Sequence, residues 1–294
     1  MTKPSSLSRQ LRIAVAGATG RVGGSLVSLL TADTLDIVAL TRNSDSPRLP
    51  AGTRAATVDF DDPSTLFEAL QGADRLFLAH GTSDRQVANE ISMIDAAVAA
   101  GVSHIVKLSA LGPPTQLHPF DWHMKIEAHL AKQDIGFTVL RPTCFVDVLS
   151  RAAEPVASDA WGGTAGDGLV NLIDTRDVAE VARVALLDDR YPSSQRAYHL
   201  TGPGAVSMPE VADELSHLLG RTVSYRQRSI DDHREFLIRS GLSEMVADLL
   251  LGLERIFRQN VLSETTSSVT DLTGKKSRPV TSWLNDNIGR FKSG

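Results

Sequence analysis

The sequence predicts an α/β protein: a doubly wound parallel sheet with a smaller C-terminal α/β substrate lobe. Three observations carry that expectation. Short apolar, β-branched runs alternate with longer stretches of helical spacing through the first half. A glycine-rich turn stands directly after the first of those runs, and the alternation breaks down near residue 150.

The runs expected as strands are Arg12-Val15, Asp36-Leu40, Ala56-Val58, Arg75-Ala79, His104-Leu108 and Thr138-Leu140. Between them, Val22-Leu30, Pro63-Leu70, Arg85-Ala100 and Lys125-Lys132 have helical spacing, several ending at or near Gly. Six strands joined by five crossovers, most of them helical, make a doubly wound sheet. Arg151 to Gly168 is rich in Ala, Gly, Asp and Pro without clear period and reads as a loop. Leu169-Ile173 reads as a strand and Asp177-Leu187 as a helix, both returning to the first domain. After Tyr198 come a strand, a Gly-Pro-Gly turn and a helix over Ser207-Leu219, where Ser207 and Glu210 have capping-box spacing. Arg234-Arg258 reads as helical. The expected domains are therefore 1–150 plus about 169–190 for the sheet, and about 151–168 with 198–294 for the lobe.

A chain of 294 residues, 42% hydrophobic and 22% charged, is long and apolar enough for one large core with an attached lobe. Its formal net charge of -5, with no dense run of Lys and Arg, argues against direct nucleic-acid binding. Cys144 is the only cysteine, so an internal disulfide and a Cys-rich metal site are excluded and a reducing compartment fits. The polar start Met1 to Gln10 lacks a signal-peptide core, and no later segment has the apolar length of a membrane span. The expectation is a cytoplasmic protein with a small-molecule substrate and no membrane partner; a homodimer is allowed.

The turn Gly17-Ala18-Thr19-Gly20-Arg21-Val22-Gly23 follows the apolar run Ile13-Ala14-Val15-Ala16 and opens a helix rich in Val and Leu. Gly17 suits the tight turn, Gly20 the close approach of amides to a pyrophosphate, and Gly23 the packing of helix on strand. The helix N-terminus then offers N–H groups to an anion. Strand, turn and helix together point to a Rossmann-type dinucleotide site. Where an NAD-specific site offers a carboxylate to the ribose, this chain has Thr41-Arg42-Asn43, and Arg42 suits a 2′-phosphate. NADP(H) is favoured over NAD(H). Asp59 and Phe60 stand at the end of the third strand where an adenine ring would lie, although Asp59 also suits a turn cap before Pro63.

Further along stand Val106-Lys107-Leu108-Ser109-Ala110, Leu140-Arg141-Pro142-Thr143-Cys144-Phe145, Ile173-Asp174-Thr175-Arg176-Asp177, Tyr198-His199-Leu200-Thr201-Gly202-Pro203 and Leu272-Thr273-Gly274-Lys275-Lys276. In this order and spacing, together with the glycine turn, the chain resembles the NmrA-like subgroup of atypical short-chain dehydrogenase/reductases, almost end to end. That resemblance implies NAD(P) binding, with many members similar to quinone, azo-compound or other small-molecule reductases and some acting as sensors. It implies that Leu108, Ser109 and Ala110 line one side of the nicotinamide and Pro142, Thr143 and Phe145 the other. Ala79, His80 and Gly81 would lie near the diphosphate and ribose.

Common short-chain reductases place a Tyr four residues before a Lys, so that the phenol protonates an alkoxide while the ammonium lowers its pKa. Here Lys125 has Asp121 at that position, and the tyrosines stand at 191, 198 and 225. Lys125 still suits the nicotinamide ribose hydroxyls. His123 and Asp121 are the nearest candidates to deliver a proton, the imidazole having the better ordinary pKa. A quinone needs no dedicated acid, because its reduced oxygens take protons from water; a ketone does. Conjugated acceptors, quinone-like, azo or imine, are therefore expected. His80, His104, His118, His129, His199, His217 and His233 lack metal spacing, and His118 with His123 has no third ligand. No metal is expected. Cys144 suits a small buried hydrophobe better than a redox role. No Gly-x-Ser-x-Gly elbow is present. The leading expectation is an NADPH-dependent oxidoreductase; the alternatives are a non-catalytic NADP(H) sensor and an isomerase or lyase using the cofactor transiently.

Overall fold

A computed structural model describes residues 10–112, 120–190 and 193–292. Nearly all of the polar start, and His118, lie outside those residues.

The first half follows the alternation read from the sequence: β1 (Arg12–Ala16), α1 (Arg21–Leu30), β2 (Asp36–Thr41), β3 (Arg54–Thr57), α2 (Pro63–Leu70), β4 (Arg75–Leu78), α3 (Gln86–Ala99), β5 (His104–Leu108), α4 (Phe120–Leu130) and β6 (Gly136–Pro142). The second half adds β7 (Cys144–Phe145), a 3-10 turn over Val146–Ala152, α5 (Ala153–Ala157), β8 (Gly162–Gly163), β9 (Val170–Ile173), α6 (Thr175–Leu187) and β10 (Gln195–Leu200). It continues with β11 (Ala205–Val206), α7 (Met208–Leu219), β12 (Arg226–Gln227), α8 (Ile230–Arg239), α9 (Glu244–Arg258), α10 (Ser268–Thr273) and α11 (Val280–Asn287).

The main sheet has seven strands in the order β10-β6-β5-β4-β1-β2-β3. Its chain order reverses at β1, where β2 pairs on one side and β4 on the other, both parallel. Amides of Phe137 and Thr143 bond the carbonyls of Ser194 and Leu200, so register advances equally on β6 and β10 and that edge is parallel too. Ile13, Ala14 and Val15 are completely buried, as a strand covered on both faces requires. This is a Rossmann-like α/β fold; in such sheets the crevice at the carboxyl ends of the strands, beside the reversal, is the usual ligand position.

The chain divides into two compact units. The first comprises residues 1–108, 125–139 and 179–197; the second comprises 109–124, 140–178 and 198–294. The core of the first is built on Leu40, Leu66, Leu76, Met93, Ile94 and Ile105 among others. The core of the second gathers Leu149, Val156, Trp161, Leu215, Phe257 and Trp283.

Several local readings change. The strand read after Tyr198 as part of the lobe runs from Gln195 and, as β10, is the seventh strand of the main sheet, and the helix read from Lys125 begins at Phe120. The stretch after Arg151 is not simply a loop: Val146, Leu149, Ala152 and Val156 form an apolar stripe at helical spacing, and its burial in the second core holds a 3-10 turn followed by α5. The strand read at Leu169-Ile173 does not enter the main sheet; as β9 it pairs with β7 and β11 in a separate three-stranded sheet. The single helix read over Arg234-Arg258 is two, because Gly241 adopts φ +89° between α8 and α9. The capping box at Ser207 and Glu210 is formed in both directions.

Candidate functional site

In the first unit the glycine turn is built by close approach. Gly17 has φ +78°, and a Cβ there would stand 2.8 Å from the Ala79 carbonyl oxygen. A Cβ at Gly23 would overlap the Gly17 carbonyl oxygen and lie 2.7 Å from its carbon. At Gly20 it would lie 3.2 Å from the same oxygen. The Gly20 amide closes the turn on the Gly17 carbonyl at 2.9 Å. Gly20 is also the N-cap of α1 and supplies no side-chain cap. Thr19, Arg21 and Val22 complete this turn, and a helix beginning in this way leaves its first-turn amides for an anion.

Around it, Arg42 is exposed just beyond β2. Asp59 takes the turn role that the sequence allowed it, since its carboxylate accepts the Asp61 amide at 2.9 Å; the cap of α2 itself is Asp62. The Phe60 ring meets His80 edge-on at 5.6 Å between centroids. Asn89 Nδ2 donates to His80 Nε2 at 3.0 Å, which leaves His80 Nδ1–H to donate to the Gly81 carbonyl at 2.6 Å. Ala79, His80 and Gly81 thus follow β4 beside the glycine turn, with His80 in one fixed tautomer. Leu108, half-buried, ends β5.

In the second unit the Ser109 amide bonds the Leu140 carbonyl, and the Leu111 amide the Pro142 carbonyl, both at 2.7 Å. Ser109, Ala110 and Leu111 are thereby laced to the Arg141-Pro142 stretch. Thr143 is buried, its amide bonding Leu200 and its hydroxyl donating to the Asn171 carbonyl at 3.0 Å. Phe145 is half-buried at the head of the 3-10 turn. Burial, and secondarily Asp147, push the Cys144 thiol up to about 12, so it is not a thiolate at neutral pH.

The candidate acid–base residues share α4 but not one face. Asp121 and Lys125 are four residues apart and project together, whereas His123 is turned by about 200° from each. Lys125 is exposed; His123 and Asp121 are half-buried. Among the described residues no group of three or more His, Cys, Asp or Glu could hold a metal ion, and no helix is long and apolar enough to cross a membrane.

Two features had no motif to announce them. Beneath β5, Lys107 and Glu90 pair in full burial, with Gln86 Nε2 donating to Glu90 at 3.0 Å. Gln86, Asn89 and Glu90 at spacings of three and four gave the only hint, a polar patch on an otherwise apolar helix face. The second unit also holds a cavity of about 310 Å³ that includes Val148, Leu149, Trp161, Tyr225, His233 and Glu254 in its lining. Its walls come from six separate parts of the chain.

Comparison with known proteins agrees with this architecture. The family model described as the NmrA-like family matches residues 9–276. The NAD(P)H azoreductase of Xenophilus azovorans is 31% identical over 90% of this chain and 94% of its own length. Quinone oxidoreductase 2 of Escherichia coli is 31% identical over 81% of this chain and 85% of its own. The crystal structure of an NADPH-dependent quinone oxidoreductase from Escherichia coli, complexed with NADPH, superposes with a TM-score of 0.85 at 27% identity, covering 94% of this chain and 99% of that one.

Proposed function

The chain belongs to the NmrA-like family, and from that premise we infer an NADPH-dependent oxidoreductase that reduces small conjugated organic acceptors of the quinone, azo or imine type. The observation that carries the reading is the glycine turn, where a Cβ at Gly17 or Gly23 would strike the backbone and one at Gly20 would crowd it. That cradle fits a dinucleotide pyrophosphate. Relatives named for azo and quinone reduction support the acceptor class.

When bound, NADPH supplies a hydride from the nicotinamide ring. The chain's own part is to hold and orient. In the first unit we assign Gly17, Thr19, Gly20, Arg21, Val22 and Gly23 to the pyrophosphate, Arg42 to the 2′-phosphate, and Asp59 with Phe60 to the adenine. Ala79, His80 and Gly81 border the diphosphate and ribose, Leu108 borders the nicotinamide, and Lys125 takes the ribose hydroxyls. In the second unit Ser109, Ala110, Pro142, Thr143 and Phe145 border the nicotinamide.

The proton comes from water. Asp121 stands where a phenol would be needed, and the helical offset of His123 argues against its serving the molecule that Lys125 holds. Conjugated acceptors tolerate this, whereas a simple ketone does not. The short-chain dehydrogenase/reductase assignment follows the glycine turn and the retained Lys125. A cytoplasmic location is supported by the single cysteine, and the absence of nucleic-acid partners by the net negative charge. Homodimerisation is compatible with these assignments.

The test is NADPH oxidation, followed by loss of absorbance, across quinones, azo dyes, imines, enones and ketones. Turnover with the first three classes and a marked fall for Lys125→Ala is expected. Cofactor binding without turnover on any acceptor would sink the reading in favour of a sensor.

A further inference from the structure

The cavity inside the second unit is lined mostly by apolar side chains; its charged and polar lining comprises Arg151, Glu154, Tyr225, His233, Ser240 and Glu254, and Arg228 braces His233 from behind. Arg228 Nη1 donates to the Gly162 carbonyl at 2.9 Å, Nη2 donates to the Ala160 carbonyl, and the guanidinium lies 4.1 Å over the Phe236 ring. Nη1 also lies 3.3 Å from His233 Nδ1. A guanidinium only donates, so His233 Nδ1 accepts and its Nε2 carries the hydrogen. That hydrogen points to Glu254 Oε1 at 3.1 Å. In this arrangement His233 bridges the guanidinium and the Glu254 carboxylate.

The two carboxylate oxygens differ. Oε2 accepts both the amide and the hydroxyl of Thr164, at 2.6 and 2.8 Å. Oε1 has His233, and a carboxylate oxygen can accept a second bond. His233 is almost fully buried, whereas 21% of the Glu254 side chain remains exposed. Burial alone would raise the Glu254 carboxyl, but the hydrogen bond and electrostatic attraction of His233, with the two bonds from Thr164, hold it below the usual range. An ionised acceptor thus borders a cavity walled by Trp161, Tyr225 and Phe257. Trp161 and Tyr225, which meet edge-on at 5.3 Å, give that wall its aromatic character.

We propose that this cavity binds planar aromatic molecules bearing an O–H or N–H donor, and that Glu254 Oε1 is the acceptor that selects them. About 310 Å³ suits a small two-ring molecule. Val148 and Leu149 line it from the turn that begins directly after Phe145, which we assigned to the nicotinamide. The catalytic meaning rests on the reductase reading: the selected molecules are hydroxy- or amino-substituted acceptors and their phenol or arylamine products. Binding itself needs no cofactor.

The experiment is calorimetric titration of the full chain, without NADPH, using 2-naphthol and 2-methoxynaphthalene, which share a ring system but differ in the donor. Wild type should prefer 2-naphthol at least tenfold, a charge-assisted bond being worth that much or more. Glu254→Gln keeps the shape and should reduce the preference below about threefold. Ser240→Trp, placed at an exposed lining position where folding is not at stake, should abolish binding of both. Equal affinity of the two probes for wild type, or a preference that survives Glu254→Gln, overturns the role of Glu254. No binding by wild type, or undiminished binding by Ser240→Trp, overturns the cavity as the site. A protein that selects 2-naphthol yet oxidises NADPH with no acceptor leaves this proposal standing and overturns only the reductase reading.

Discussion

Lys107 Nζ lies 2.8 Å from Glu90 Oε2, with both side chains wholly excluded from solvent. The same ammonium donates to the Leu108 carbonyl, so the buried pair also sets the peptide at the end of β5. Removing one partner leaves a charge in an apolar core. Lys107→Met should cost about 3–5 kcal/mol in chemical denaturation, and Lys107→Met with Glu90→Leu should recover most of it. A double variant no more stable than the single one would show that the loss was packing rather than charge.

Gly23→Ala should damage the turn more than Gly81→Ala. The first Cβ meets the Gly17 carbonyl, while the second meets nothing within 4 Å. NADPH titration should show at least about a tenfold weaker Kd for Gly23→Ala, about 1.4 kcal/mol, and little change for Gly81→Ala.

Arg42→Ser should raise KM for NADPH about tenfold while sparing NADH, because only the former brings a 2′-phosphate for the guanidinium. An equal effect on both cofactors would place Arg42 outside the phosphate's reach.

Asp174 has an acid-side signature. Burial alone would raise its carboxyl, but side-chain and backbone hydrogen bonds from Arg176 and the nearby cation hold it below the usual range. A depressed folded value means that its stabilisation is fully present above about pH 4 and is lost as pH falls through the folded value. Arg176→Leu, which also frees Asp286, should cost about 1–3 kcal/mol at neutral pH and flatten the acid limb of the stability profile.

Cys144 should resist thiol reagents at neutral pH in the folded protein and react at once in denaturant, given a thiol pushed up to about 12. Cys144→Ala should keep kcat within about twofold. A larger loss would mean that the thiol does more than pack.

The parts legible in the sequence were those governed by local rules. Period and punctuation located β1 to β6 within a few residues, and Gly17, Gly20 and Gly23 announced a turn whose steric demand is backbone against backbone. The lobe was not legible in the same way. Trp161, Tyr225, His233 and Glu254 are brought together only by tertiary packing, and their separations of 8 to 93 residues obey no motif. The stripe from Val146 to Val156 was hidden because Pro155 and the Ala pair looked like loop text. Gly241 interrupts a run that is otherwise apolar at helical spacing, and only its positive φ turns that interruption into a break.

The first unit is assembled from three separated stretches of chain, the last of them ending at residue 197. Within it Phe137 on β6 bonds Ser194, directly before β10, and Arg75 on β4 reaches forward to the Leu186 carbonyl and to Asp189. A nascent chain leaving the ribosome can therefore form the glycine turn early but cannot finish this unit until two-thirds of its length has been translated. Gene fragments ending near residue 150 would encode a sheet with an unfilled edge and an unanswered Arg75, prone to aggregate; the segment fit for grafting extends at least to Leu200.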